Sequence, residues 1–446
     1  MPSHRVGVVG AGYVGLTSAA CLAHLGHRVV CVDVDESKVD CLRRGSVPIR
    51  EPGLADLVGD GLAGGRLSFT TSLGGLAGAE IVLLCLPTPM GSTGVADLSA
   101  LESVLAELAG VLAAGCVLVT KSTVPVGTSE RAAELLGRRD VAVVSNPEFL
   151  REGHAVHDFL HPDRIVVGSA HAQAAERVVG LYAKLSAPVQ RTDSASAEMA
   201  KYASNAFLAL KVSYVNELAE LCERLGADIR EVSRVMGRDD RIGPAFLSPG
   251  PGWGGSCLPK DTCALLRAAE SVGAEFALLR EAVTVNDEQR ARVVRKVRRA
   301  VTGSAEGSLA GVRIGLLGLA FKAGTSDVRH SPALTIAAEL GRAGAVLTGY
   351  DPCVSGSDRP DVDGITLVDD PYLVAKDAAG ILLLTEWPQF RDLDWAELAD
   401  LAERAVVVDA RNLLDGEVLA GTGFVHMGIG TSADPTAYPV TPRGGS

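Results

Sequence analysis

The sequence has no excess of positive charge, no long apolar run, no paired-cysteine motif and few aromatic residues. Each absence excludes something. With 42 Lys and Arg against 54 Asp and Glu, the formal net charge is -12, so no basic groove is expected for nucleic acid. The longest apolar stretches, such as Ile81–Leu86 and Ile381–Leu384, are far too short to cross a bilayer and suit buried strands instead. No charged-then-apolar leader precedes the first strand-like segment, so a cytoplasmic protein with reduced cysteines is expected. The nine cysteines include no CxxC pair, and no metal site is expected. What is present is an ordinary globular composition, 47% hydrophobic and 22% charged, over 446 residues, a length suited to two or three domains.

Strand and helix patterns alternate through the first 192 residues. Arg5–Val9 reads as a buried strand, Gly10–Gly15 as a turn, Leu16–Leu25 as a helix and Arg28–Val32 as the next strand, ending at Asp33. Further strand-like runs at Ile81–Leu86, Val117–Lys121, Val141–Ser145 and Arg164–Val167 predict a parallel sheet wound on both faces. From Ser194, read as an N-cap with an acidic first turn at Glu198, apolar residues recur at helical spacing without Pro or Gly until Gly226. This predicts one helix of about 30 residues, a spine for two lobes or two subunits. The βα pattern restarts at Gly311, with strands at Val312–Leu317, Ala345–Gly349, Ile381–Thr385 and Ala405–Asp409. The fold class is therefore α/β, two doubly wound Rossmann-like lobes around a long central helix. The segments are 1–192, a helical 193–305 and 310–435, with 436–446 expected to be disordered.

Gly10-Ala11-Gly12-Tyr13-Val14-Gly15 fits G-x-G-x-x-G, and it follows a strand, opens a helix and has Asp33 at the end of the next strand. Gly10 suits the tight turn, Gly12 the approach of a pyrophosphate to backbone N–H groups, and Gly15 close helix–strand packing. Asp33 suits ribose hydroxyls and repels a 2′-phosphate, which favours NAD over NADP. Lys38 is placed to help on the adenosine side. The second lobe has Gly318-Leu319-Ala320-Phe321-Lys322 after its first strand, where a lysine replaces the glycines, so a different phosphorylated ligand is expected there.

Gly254-Gly255-Ser256-Cys257-Leu258-Pro259-Lys260-Asp261 sets a thiol on a glycine-rich turn beside a lysine and an aspartate. The flanking glycines are expected to leave Cys257 open to substrate, and a neighbouring cation favours its reactive thiolate. Lys201 and Asn205 are spaced to share one face of the long helix. Lys121–Gly127 and Asn146–Gly153 each follow a strand end, where doubly wound sheets bind ligands.

Together these segments resemble the UDP-glucose/GDP-mannose dehydrogenase family, across residues 5–430. The motifs that carry the resemblance are GAGYVG, LCLPTP, KSTVPVG, NPEFLREG, EMAKYASNAFLALKVSYVNE, GPGWGGSCLPKD, LGLAFKAGTSDVRHSP and VVDARNLL. The resemblance implies a Rossmann NAD domain, a helical dimerisation core and a C-terminal nucleotide-sugar domain. The activity it implies is a four-electron oxidation of a sugar C6 alcohol to a carboxylate with two NAD. Cys257 is then the nucleophile, and Lys201 and Asp261 handle protons with an ordered water. Asn205 joins Lys201 in stabilising the C6 oxygen, while Glu148 and Thr123 serve the hydrolytic water. The positions matched to NAD are the glycine loop with Tyr13 and Val14, Asp33, Lys38, Pro87, Thr88, Ser122, Thr123, Glu152, Lys260 and Arg329. Those matched to the sugar nucleotide are Glu148, Phe149, Leu150, Arg151, Lys201, Asn205, Phe246, Leu247, Gly250, Gly254, Cys257, Phe321, Lys322 and Arg411. Arg241 matches an arginine given to the site by a neighbouring subunit, which makes a dimer or larger homo-oligomer the expected assembly.

Lys260 places the chain in the glucose/mannose branch, and Pro249–Gly255 looks more like members that act on UDP-glucose, although Ser248 departs from a lysine of the animal enzymes. UDP-glucose oxidation to UDP-glucuronate is the expected reaction. TDP-glucose, GDP-mannose or a modified UDP-hexose is the alternative substrate. A two-electron hydroxyacid dehydrogenase needs neither Cys257 nor a second nucleotide lobe. A silent binding protein would have lost Cys257, Lys201 or Asp261.

Overall fold

The computed structural model describes residues 3–91, 94–354, 364–416 and 418–431. The expected disorder of 436–446 falls outside them. The contacts divide the chain into two compact units, residues 1–204 with 263–274, and residues 205–262 with 275–446.

The first unit is built on eight strands: β1 (Arg5–Val9), β2 (Arg28–Val32), β3 (Leu67–Thr70), β4 (Ile81–Leu84), β5 (Val117–Thr120), β6 (Ala142–Ser145), β7 (Ile165–Gly168) and β8 (Val189–Thr192). Their order is β3-β2-β1-β4-β5-β6-β7-β8. Ile81-Val82-Leu83-Leu84 is apolar at every position because β4 is buried on both faces. The Tyr13–His24 helix buries every residue from Gly15 to Ala23. Parallel β1 and β4 are neighbours at the point where the strand order switches from leftward to rightward addition, the place at which doubly wound sheets bind ligands beyond the carboxyl ends of their strands.

The sheet is not wholly parallel, as the alternation had predicted: β6 and β7 pair antiparallel, Ser145 opposite Gly168. An antiparallel neighbour needs no crossover, so Asn146–Arg164 turns back at the end of the sheet where β6 finishes. The NPEFLREG segment therefore stays at that rim.

The second unit carries β9 (Arg313–Leu317), β10 (Val346–Tyr350), β11 (Ile365–Leu367), β12 (Gly380–Leu383), β13 (Val406–Asp409) and β14 (Val425–Gly428). The order β11-β10-β9-β12-β13-β14 is parallel throughout and repeats that switch between β9 and β12.

One uninterrupted 32-residue helix, Ser194–Leu225, bears out the predicted helix of about 30 residues. Its cap differs from the sequence reading. Asp193, not Ser194, accepts the N–H of Ser196 at 2.8 Å, and also its hydroxyl at 2.7 Å. Glu198 is not a first-turn acid. Its buried carboxylate reaches across to the N–H of Gly127 (2.7 Å) and to the N–H and Oγ of Ser129 (2.8 and 2.6 Å).

Candidate active site

In the first unit the glycine loop meets the geometric demands of a dinucleotide turn. Gly10 has φ +96°, and a Cβ there would stand 2.5 Å from the carbonyl O of Cys85; one on Gly15 would stand 1.8 Å from that of Gly10. A Cβ on Gly12 meets nothing within 4 Å, so its open side faces no protein atom at the N-terminus of the Tyr13–His24 helix. That is the space a pyrophosphate needs. Asp33 Oδ2 accepts the N–H of Ala11 at 2.7 Å and pairs with Lys38 Nζ at 3.2 Å, while Oδ1 accepts only the N–H of Asp35 at 3.0 Å. Acceptor capacity remains on Oδ1 for a ribose hydroxyl. Lys38 is tied to that same carboxylate.

Behind the loop lies a cluster absent from the sequence reading. The carboxylate of buried Glu51 accepts the Tyr13 hydroxyl and the N–H of Gly153 (2.8 Å), and the latter N–H also reaches the Tyr13 oxygen at 2.7 Å. Burial first, then the bond to Glu51, drives the Tyr13 pKa upward, so its phenol stays neutral. The glycine helix is thereby fastened to the loop that carries Glu148–Glu152. Thr88 Oγ1 donates to the carbonyl of Thr123 at 2.9 Å, and Ser122 Oγ to that of Leu86 at 2.7 Å. These two hydroxyls hold the segments after β4 and β5 against each other, next to Pro87.

Lys201, Glu148 and Phe149 come together in the first unit. Lys201 Nζ lies 3.2 Å from Glu148 Oε1, with both side chains more than nine-tenths buried, and Glu148 Oε2 accepts the N–H of Leu150 at 2.6 Å. The Phe149 ring has Lys201 Nζ 5.2 Å and the Arg164 guanidinium 3.9 Å from its centre. Arg151 is exposed and engages Asp158 with its backbone N–H and two guanidinium nitrogens, at 3.0, 2.9 and 2.6 Å.

In the second unit Cys257 alone among the nine cysteines is exposed. It immediately precedes the Leu258–Ser271 helix, where the dipole favours a thiolate. Its carbonyl accepts the N–H of Asp261 at 2.9 Å, and Ser256 Oγ is 3.6 Å from its sulfur. Asp261, 1% exposed, accepts from Asn205 Nδ2 on one oxygen and from Lys260 Nζ on the other, each at 2.5 Å. A buried carboxylate with a charged and a neutral donor can hold a proton acceptor's orientation without packing change.

The glycines beside the exposed Cys257 also allow close packing on the protein side of the turn. A Cβ on Gly254 would lie 2.1 Å from the carbonyl O of His330, and one on Gly255 2.7 Å from the Phe321 ring. The thiol turn is packed closely against the Phe321 ring and the His330 carbonyl, and only glycine fits there. Arg411 braces the same region, donating to the carbonyls of Leu384 (2.8 Å) and Phe321 (3.0 Å) and pairing with Glu386 at 3.0 Å. Lys322 Nζ lies 5.6 Å from the Phe321 ring centre. Phe246 adopts φ +63°, a strained turn for an aromatic residue, beside buried Leu247. Arg329 pairs with Asp327 at 2.6 Å, and Arg241 with Asp239 at 2.6 Å, the Arg241 side chain being 89% exposed.

The loop from Pro249 to Gly255 is held by buried polar residues that the sequence did not single out. Asn216 Oδ1 accepts the N–H of Gly250 and Gln289 Nε2 donates to its carbonyl, both at 2.8 Å. Asn286 bonds the N–H and carbonyl of Trp253 at 2.7 and 3.0 Å. Their signal was present as amides on otherwise apolar helix faces, a pattern that marks a polar partner elsewhere. Among the described residues no group of three His, Cys, Asp or Glu is placed to hold a metal ion, and no helix is long and apolar enough to cross a membrane.

Three family models match this chain in sequence: the NAD binding domain of the UDP-glucose/GDP-mannose dehydrogenase family at residues 4–186, its central domain at 195–288 and its UDP binding domain at 315–416. A UDP-glucose 6-dehydrogenase from Rhizobium meliloti is 42% identical, covering 96% of this chain and 99% of the relative. One from Pseudomonas aeruginosa is 43% identical, covering 96% and 97%. A solved UDP-glucose dehydrogenase from Pyrobaculum islandicum superposes with a TM-score of 0.86 at 38% identity, over 95% of this chain and 98% of that one. With the glycine loop, the buried Lys201–Glu148 pair and the Cys257–Asp261 turn in place, the chain belongs to the UDP-glucose/GDP-mannose dehydrogenase family.

Proposed function

We propose that the protein oxidises C6 of UDP-glucose to the carboxylate of UDP-glucuronate, consuming two NAD and one water and passing through a thioester on Cys257. The observation that carries this reading is Cys257 itself. It is an exposed thiol at a helix N-terminus, one turn before a buried aspartate that holds a lysine and an amide. A two-electron alcohol oxidation needs no such nucleophile.

The Gly10–Gly15 loop and Asp33 would hold NAD, which when bound would supply the hydride acceptor for both oxidation steps. The C6 hydroxyl gives its proton to a base, which we assign to Lys201 and Asp261 acting with a water. The cation of Lys201 and the amide of Asn205 stabilise negative charge on the C6 oxygen as it forms. The Cys257 thiolate then adds to the aldehyde carbon, and the resulting oxyanion takes a proton to give a thiohemiacetal. Loss of that hydroxyl proton and of the second hydride leaves a thioester. Water attacks the thioester carbonyl, the C–S bond breaks, and the thiolate is regenerated with the carboxylate. Glu148, with its backbone-fixed orientation, is the residue we assign to that water, with Thr123 positioning it. Covalent capture keeps the aldehyde from escaping.

We read 1–192 as the NAD segment, 193–305 as the central segment and 310–435 as the UDP-sugar segment. Phe149–Arg151, Phe246, Leu247, Gly250, Gly254, Phe321, Lys322 and Arg411 are assigned to the sugar nucleotide; Glu152, Lys260 and Arg329 to NAD. The protein is assigned to the cytoplasm. Arg241 is assigned to a neighbouring subunit's site, supported by its outward side chain. An apolar stripe on the long helix, Phe207, Tyr214 and Leu221 at seven-residue spacing and all about half exposed or more, supports a dimer through that helix.

The test is the NADH yield with limiting UDP-glucose and excess NAD. About two NADH per sugar, with the uronate as product, is the expected result. No NADH from UDP-glucose, with turnover of TDP-glucose, GDP-mannose or a modified UDP-hexose, would replace the substrate and leave the chemistry standing.

A further inference from the structure

Away from these residues, the second unit holds a cavity of about 780 Å³ between the C-terminal half of the Ser194–Leu225 helix, the Ala277–Thr302 helix and the end of β14. The volume is that of a small-molecule site. Five cations line it, Arg224, Arg292, Arg295, Lys296 and Arg299, against two carboxylates, Glu220 and Glu223. Glu220 is shared by Arg224 and Arg292, and Glu223 holds Lys296 at 2.6 Å. Arg295 and Arg299 have no carboxylate partner among the described residues. Compensation of a helix dipole accounts for Arg224 and Arg299, which lie in the last turns of their helices. Arg292 and Lys296 stand earlier in the Ala277–Thr302 helix and are paired, Arg292 with Glu217, Glu220 and Glu288 and Lys296 with Glu223, which leaves exposed Arg295 with neither account.

Two buried atoms on the wall lack any partner, Asn216 Nδ2 and Arg292 Nη1, and both are donors. The Asn216 amide is fixed in orientation, because its oxygen accepts the N–H of Gly250. Its NH₂ is therefore left without an acceptor, at a position only 1% exposed. Unmet donors and surplus cations ask for the same thing, an acceptor-rich anion.

We propose that this cavity binds an organic phosphate of nucleotide size carrying two or more negative charges, and that the bound anion tunes the sugar-nucleotide loop. The link is Gly250. Asn216 and Gln289, both on the cavity wall, hold its N–H and its carbonyl. A phosphate oxygen accepting from Asn216 Nδ2 would polarise the amide and strengthen the grip of its oxygen on that N–H. The coupling half of the proposal rests on the assignment of Gly250 to the sugar nucleotide; the binding half does not.

The experiment is calorimetric titration of ATP, and separately of inorganic pyrophosphate, into the full-length protein saturated with NADH and UDP-glucose, which fill the catalytic subsites without turnover. Saturable ATP binding is expected, weakened about tenfold or more by Arg295→Ala/Arg299→Ala, two exposed positions whose loss leaves the fold intact. Equal binding of pyrophosphate would show that charge alone is recognised, and weaker binding that the nucleoside adds contacts; either supports the site. No binding of either anion, or binding unchanged in the double variant, overturns it. Bound ATP is also expected to change the UDP-glucose KM in the wild type and not in the double variant. An unchanged KM with ATP bound overturns the coupling. Binding is read as a difference between wild type and variant, so it is decided whichever nucleotide sugar the enzyme oxidises.

Discussion

Cys257 and Asp33 separate the two halves of the chemistry at the level of single side chains. Replacing sulfur by oxygen in Cys257→Ser keeps the shape of the turn and removes the polarizable nucleophile proposed to carry the thioester. The variant is expected to lose overall four-electron turnover by about a thousandfold or more while its NAD affinity stays unchanged. Normal yield of the uronate in that variant would take Cys257 out of the mechanism. Asp33 lies in the other unit and is assigned to the cofactor alone. Its Oδ1 has one protein donor, from Asp35, and room for a ribose hydroxyl, and its negative charge repels a 2′-phosphate. Asp33→Ala is expected to lower the ratio of kcat/KM for NAD over NADP by about tenfold or more. The ratio is the right readout because loosening of the Ala11 N–H, which Asp33 also holds, would depress both cofactors together. A wild type indifferent to the 2′-phosphate would end the ribose argument.

Turns and helix ends, rather than the helices and strands themselves, decide how these side chains are presented. Gly255 has φ +83° and lies against the Phe321 ring, so Gly255→Ala adds left-handed strain of about 1–2 kcal/mol and a collision that only movement of the ring relieves. Strong loss of activity with retained NAD binding is expected; wild-type kinetics in Gly255→Ala would show that the turn is loosely packed. Glu198 is the corresponding device in the first unit. Its buried carboxylate serves the N–H groups of Gly127 and Ser129, so Glu198→Ala strands those donors at about 1–3 kcal/mol, seen as a lowered Tm. Neither role was legible in the sequence. Gly254 and Gly255 were visible as a motif, but their contacts, His330 and Phe321, lie some 70 residues on, and the glycines read as open access. Glu198 read as a helix-start acid because its true partners are 69 and 71 positions away. Glu51 had no motif at all. Local rules found what is local: the glycine loop, its aspartate, the long helix and β4 with its unbroken apolar run. They missed β3, β8, β11 and β14, short strands whose pattern is weak, and the reversal at β7, which depends on pairing and not on composition.

For the molecule as a whole, the question is whether one chain suffices. Arg241 is held only by its near neighbour Asp239 in the hydrogen bonds and ion pairs of the described residues, and it points outward. Exposed pairs of this kind contribute little to stability, so the fold does not explain an arginine at that position. The apolar stripe on the long helix is equally unexplained by a monomer, since Phe207 is 62% exposed and Tyr214 56%. A two-fold dimer through that helix accounts for both, provided that each subunit supplies Arg241 to its partner. Alone, Arg241→Ala is expected to raise the KM for UDP-glucose well above wild type while the NAD KM stays in place. That result cannot distinguish a residue acting within its own subunit from one acting on its partner, and a mixture of variants can. Co-expressed Arg241→Ala and Cys257→Ser subunits combine at random, so about half the dimers carry one of each. If Arg241 serves the neighbouring site, one of the two sites in such a dimer has both its own Cys257 and the partner's Arg241. Activity at low UDP-glucose should then recover to about a quarter of wild type, although each variant alone is nearly inactive there. If Arg241 serves its own subunit, every site in the mixed dimer lacks either the thiol or the guanidinium. Activity then stays at or below that of the Arg241→Ala protein by itself, and the assignment across subunits fails.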